Sequence, residues 1–237
     1  MRLIEGEIQT LKDKVLDMSE LVLRQLDSVT QAVSSLDYEL AEKIRKKDKK
    51  VNKFDTKIDK SCERIIALYQ PVANDLRFIF SALKINSYLE QIGDIINSIA
   101  RKILDMQEKE YENGLLEELQ IIKMFQLTRQ ILGDALTGFF KGNQELSKSI
   151  FPKDDVIDSI HRAANAVILD KLQQKPERAN EYLQLLLIVK NLEKIADFAV
   201  SIAEEALFNI EGVFYKHSKL KYAYKNEELP ISKPLNP

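Results

Sequence analysis

The hexamer Leu89-Glu90-Gln91-Ile92-Gly93-Asp94 returns 103 residues later as Leu192-Glu193-Lys194-Ile195-Ala196-Asp197. A repeat on this scale means one architecture built twice, each copy taking half of the chain. Upstream, Asp37-Tyr-Glu-Leu-Ala-Glu-Lys-Ile44 aligns with Asn143-Gln-Glu-Leu-Ser-Lys-Ser-Ile150 at an offset of 106. The same offset sets Asp48 on Asp154, Val51 on Ile157 and Asn52 on Asp158. One loop shorter by three residues in the second copy accounts for the fall from 106 to 103.

Each copy reads as three helices. In the first, Val15, Met18, Val22, Leu26, Val29, Val33 and Leu36 mark one apolar stripe over 5–36. Asp37 is placed to cap a second helix that runs to Tyr69. Pro71 stops that helix, and Asn74 or Asp75 is placed to cap the third. The third stripe, Ile85, Leu89, Ile92, Ile96, Ile99 and Ile103, keeps the 4-3-4-3-4 spacing of bundle packing. In the second copy Ile121, Phe125, Thr128, Leu132, Ala135 and Phe139 mark the fourth helix. A fifth over 143–173 is expected to bend at Pro152, and Pro176 opens a sixth as Pro71 opens the third. That last helix carries Ile188, Leu192, Ile195, Ala199, Ile202 and Ala206. No segment alternates with the period of a strand, so the fold class is all-α, two tandem, symmetry-related three-helix bundles over 1–111 and 112–212. Residues 213–237, with three prolines and five lysines, read as a tail with little core of its own.

Composition agrees and excludes several functions. Seven glycines, six prolines and no tryptophan in 237 residues, with 45% apolar and 30% charged side chains, suit long amphipathic helices. A net charge of −2 gives no footprint for nucleic acid. The single cysteine, Cys62, cannot pair within the chain, falls on a core stripe with Phe54, Ile58 and Ile65, and fits a reducing cytosol. The longest apolar run, Leu185–Val189, is far below a membrane span, so a cytoplasmic protein is expected. There is no Glu-x-x-His pair for di-iron chemistry, no Gly-rich phosphate loop and no nucleophile triad.

The acids are more telling. On a helical wheel Glu90, Asp94, Asn97 and Arg101 fall opposite the isoleucine stripe, while Asp48, Asn52, Asp55 and Asp59 follow 4-3-4 spacing beside the seam of the second helix. Antiparallel packing would gather Asp55, Asp59, Glu90 and Asp94, and clustered carboxylates suit a hard cation such as Mg²⁺, Mn²⁺ or iron. A lone acidic pair is usually a solvated face, yet this one recurs in symmetry-related helices. In the second copy Asp55 becomes His161 and Asp59 becomes Asn165, while Glu193 and Asp197 remain. A second cluster is therefore expected to be weaker, with His161 a weaker ligand there and Asp48 a weaker ligand in the first copy. Gly93 between the acids points to close helix packing, since Ala196 takes its slot in the other copy, with backbone approach to a bound ion as the alternative.

Taken in order, Asp48–Asp59, Gln70–Ile79 and Leu89–Asp94 resemble the PhoU family of phosphate-signalling proteins over residues 5–212. The resemblance implies a non-enzymatic, dimeric, metal-binding adaptor that couples a phosphate ABC transporter ATPase to a sensor histidine kinase and holds the phosphate-starvation response off. It implies metal ligation by Asp55, Asp59, Glu90, Asp94, Glu193 and Asp197, with iron the leading ion and Mg, Mn or Zn the others. Asn74, Asp75 and Arg77 would either support a partner surface or orient the third helix. The competing reading is a metal-storing or metal-dependent enzyme on the same bundle.

Overall fold

The computed structural model describes residues 3–47, 49–106, 108–213 and 215. Among them every regular element is helical. The first half holds α1 (Leu3–Ser35), α2 (Tyr38–Lys47), α3 (Lys49–Tyr69) and α4 (Ala73–Met106). The second holds α5 (Leu115–Glu118), α6 (Ile121–Lys141), α7 (Gln144–Lys148), α8 (Ile150–Gln174) and α9 (Ala179–Glu211), with a 3₁₀ turn at Pro176–Arg178 before the last. Apart from Val213 and Tyr215, the tail lies outside the described residues, as does Asp48.

The turns repeat as closely as the helices. α1 ends on Leu36 in the left-handed region (φ 50°) and α6 on Gly142 (φ 62°), at the offset of 106. In both, the next amide reaches back to close the last turn: Asp37 N–H donates to the Ala32 carbonyl and Asn143 N–H to that of Gly138, each at 2.9 Å. The side chain of Asp37 then accepts from the Leu40 amide at 2.8 Å, and that of Asn143 from the Leu146 amide at 3.0 Å. Each satisfies an amide that the new helix leaves open. Asn74 does not cap α4. The helix already starts at Ala73, and the Asn74 side-chain oxygen accepts from Arg77 instead. The break expected at Pro152 falls three residues earlier, at Ser149 between α7 and α8. Pro152 cannot donate to the Lys148 carbonyl, so the preceding turn ends there and the proline sits in the first turn of α8, where no donor is missed.

All the stripe residues of the third and sixth helices are buried, most of them completely. Each buried aliphatic side chain contributes about 1.5–3 kcal/mol. α4 buries more than its stripe, however. Ile79, Ser81, Ala82, Ile95 and Ala100 are also inside, because α4 packs along α9 as well as within its own half. α1 meets α6 in the same way, and one continuous core runs through both halves. Lys84 pairs with the buried Glu205 at 2.9 Å, Arg129 pairs with Asp27 at 2.9 Å, and the Phe78 and Phe139 rings stack with centroids 5.5 Å apart. Ile8 and Lys12 of α1 and Asn209 and Ile210 of α9 line one cleft with Asn74 and Arg77.

The strand of chain between the halves is held by a polar knot. The Tyr38 hydroxyl donates to the Glu108 carbonyl at 2.5 Å and the Tyr111 hydroxyl to that of Val33 at 2.7 Å. Fully buried Glu181 accepts from the Glu112 amide at 2.9 Å and from Arg178 at 2.5 Å. The Glu112 carboxylate accepts from the Tyr182 hydroxyl, Lys175 and Lys171. These bonds, the tyrosine first, hold its carboxyl down at about 2 against the opposing effect of burial. A group depressed in the folded state adds stability above its unfolded value and loses it as pH falls through the folded one. Glu112→Gln should therefore lower the urea midpoint at pH 7, and its deficit against the parent should shrink as pH drops from 4.5 toward 2. A deficit that stayed constant across that window would remove Glu112 from this role.

Candidate metal centre and acidic faces

Gly93 answers to a close approach. A Cβ placed on it would lie 3.2 Å from the Val51 Cγ1 on α3. Missing that atom, α3 and α4 come together, and Ala196 fills the matching slot of the second half, fully buried. The contact brings α4 across the acidic strip of α3. Asn86, one turn before Glu90 and 1% exposed, reaches both aspartates there. Its amide nitrogen lies 2.8 Å from Asp55 Oδ1, 3.2 Å from the Asp55 carbonyl and 2.9 Å from Asp59 Oδ1. Two N–H groups thus serve three acceptors and tie the pair together.

An amide is a neutral bridge, so the repulsion between the two carboxylates survives. Partial burial and Asp59 together push the Asp55 carboxyl up, and the Asn86 bond only offsets part of this. The neighbouring Cys62 thiol is driven to about 12 by burial, with Asp59 adding to it, and is inert as a nucleophile. Glu90 is half-buried and Asp94 exposed along the outer face of α4.

The second half is built differently. Val189, fully buried, stands at the position of Asn86, so no amide bridge forms. Instead His161 Nδ1 lies 3.8 Å from Glu193 Oε1, and Asp158 and Asp197 also act on Glu193. Burial, then Asp197, raises the Glu193 carboxyl, while His161 lowers it. Asn165 donates to the His161 carbonyl at 3.1 Å.

The PhoU domain profile matches residues 15–103 and again residues 121–206. The chain belongs to the PhoU family. A phosphate-specific transport system accessory protein PhoU homolog of Aquifex aeolicus (strain VF5) is 31% identical over 215 residues, 91% of this chain and 96% of that protein. The crystal structure of the phosphate transport system regulatory protein PhoU from Streptococcus pneumoniae matches with a TM-score of 0.81 at 30% identity, covering 89% of this chain and 98% of that one. PhoU from Pseudomonas aeruginosa matches at 0.83 and 27% identity, covering 88% and 99%.

Against the metal centres that PhoU membership implies, the donor sets can be tested directly. A hard cation needs several oxygen donors converging on one point. Among the described residues, no three His, Cys, Asp or Glu side chains converge in that way. Asp55 and Asp59 come together, but on an amide that already uses an oxygen of each. As placed, the residues do not fit a metal cluster. Sequence reasoning missed Asn86, although an asparagine between the stripe residues Ile85 and Leu89, one turn ahead of Glu90, was the available signal.

Two outcomes follow from this arrangement. Gly93→Val forces α3 from α4 and should cost about 1–3 kcal/mol in urea unfolding, with part regained on adding Val51→Ala. Asn86→Asp exchanges the amide for a third carboxylate at the same point. Added Mn²⁺ should then raise the melting temperature of the variant and leave the parent unchanged. An equal Mn²⁺ shift in the parent that disappears in Asp55→Asn/Asp59→Asn would show that the native pair holds a cation after all.

Proposed function

We propose that this protein is a cytoplasmic accessory and regulatory protein of phosphate uptake that acts by binding partners and has no turnover of its own. The observation that carries the reading is the match of both halves to the PhoU domain, together with relatives named as phosphate-specific transport system accessory proteins that align along nearly their whole length. The finer reading is that the chain couples a phosphate ABC transporter ATPase to a sensor histidine kinase, as a homodimer, and restrains the starvation response when phosphate is plentiful.

The architecture supports such a role on physical grounds. Long helices joined by tight caps into one core present fixed, wide surfaces, and a binding protein of this kind works by favouring one conformation of its partner over another. No described helix is long and apolar enough to cross a membrane, so contact with a membrane transporter would run through the transporter's own exposed parts. The metal ions that the family resemblance implies take no part in this reading, because the donors do not converge. The competing metal-storing or metal-dependent enzyme draws no support from that placement either.

The test uses cells grown in high phosphate. Deleting the gene should switch on a phosphate-starvation reporter, and the native chain supplied in trans should silence it. Affinity capture of the native chain should recover a transporter ATPase or a histidine kinase. A Glu90→Gln/Asp94→Asn chain that still captures the partner assigns contact to other surfaces. A reporter unmoved by the deletion, with neither partner captured, would overturn the accessory reading.

A further inference from the structure

The solvent side of α3 is divided lengthwise. Toward α4 it carries Asp55 and Asp59. On the other side Lys50, Lys53, Lys57, Lys60 and Arg64 repeat at 3-4-3-4 spacing, all exposed. That spacing keeps them on one strip about 21 Å long, at 1.5 Å per residue. α1 lies beside the strip, and the two helices form a trough of about 430 Å³ lined by Glu7, Lys14, Lys57, Lys60, Ser61 and Arg64. Four of the six are cations. The one carboxylate, Glu7, is already paired with Arg64. Lys14 donates to the neutral Ser61 hydroxyl at 2.6 Å, and neither Lys57 nor Lys60 has a described carboxylate within ion-pair distance.

Cations this close repel one another inside one screening length of about 8 Å. On a chain of net charge −2 they form a local excess of positive charge, with Glu7 the one carboxylate that lines the trough. We propose that this trough is a docking site for an acidic helical segment of a partner protein. A partner helix with carboxylates at i, i+3 and i+4 repeats the spacing of the lysines and lies along the trough. A single phosphate spans two or three of the cations and leaves the rest of the strip unused. A membrane is flat and does not reach the floor of a concave trough, where Lys14 and Ser61 sit. The site is separate from the acidic faces of α3 and α4 and adds a contact surface that the accessory reading does not specify.

The probe is a labelled synthetic helix of about twenty residues with glutamates at that spacing, titrated with the full chain and followed by fluorescence anisotropy. Binding should weaken at least about tenfold in Lys57→Glu/Lys60→Glu, and weaken again when salt is raised. The control Lys123→Glu/Lys141→Glu, exposed on α6, changes the net charge equally and should bind like the parent. Far-ultraviolet circular dichroism and a thermal melt establish that both variants are folded. Equal weakening by both pairs would mean bulk charge alone and overturn the site. So would an unaffected Lys57→Glu/Lys60→Glu variant, displacement of the peptide by millimolar inorganic phosphate, or preferential binding to phosphatidylglycerol vesicles over the peptide. Because the probe contains no transporter or kinase, its result is independent of the reporter test.

Discussion

The packing of α4 along α9 is the constraint on which the remaining structure depends. Both are helices of more than thirty residues, and each is claimed by two sets of neighbours: the helices of its own half and its counterpart in the other. A helix buried on two sides has only a narrow outer edge for polar groups. That edge is where Glu90 and Asp94 lie on one helix and Glu193 and Asp197 on the other. The duplicated motif is therefore a result of the seam as much as of any ligand. Small residues at Gly93 and Ala196 let the flanking helix close in, and the acids occupy the strip of surface that remains.

Much of this was legible in the sequence, for reasons that can be named. Apolar spacing of 4-3-4-3-4 over nineteen residues has no good alternative to a packed helix, and the two-offset repeat doubled the signal. The cap at Asp37 was readable because a cap is a local bond between near neighbours. What escaped was non-local. Ile95 and Ala100 lie off the stripe of α4, yet both are buried in a helix that also packs along α9. Glu112, Glu181 and Tyr182 meet across about seventy residues of chain, and nothing in their local spacing announces it. The acidic site was half legible. The pattern put Asp55 beside Asp59 on one helix turn, but the bridging atom comes from Asn86, 31 and 27 residues further on.

The two halves share a backbone plan and differ in their chemistry. One acidic pair is closed by a neutral amide, while the other leaves a half-buried glutamate facing a histidine. A duplicated protein that had kept two equal sites would present the same face twice. Here the halves offer distinct surfaces on a common frame. The lysine strip of α3 enlarges the difference, since the aligned stretch of α8 carries Val156, Ser159, Ala163 and Ala166 where α3 has Lys50, Lys53, Lys57 and Lys60.

The cleft shared by the first turns of α1 and the last turns of α9 has a topological meaning. By the internal symmetry, the passage from α4 into the second half corresponds to a passage from α9 back into the first. Ile8 and Ile210 line the cleft where that passage would run. The two halves thus face each other along two edges related in plan, one crossed by the covalent chain and one left as a cleft. Symmetry of plan therefore does not make the two edges alike: the backbone fixes one, and the other leaves room between the halves.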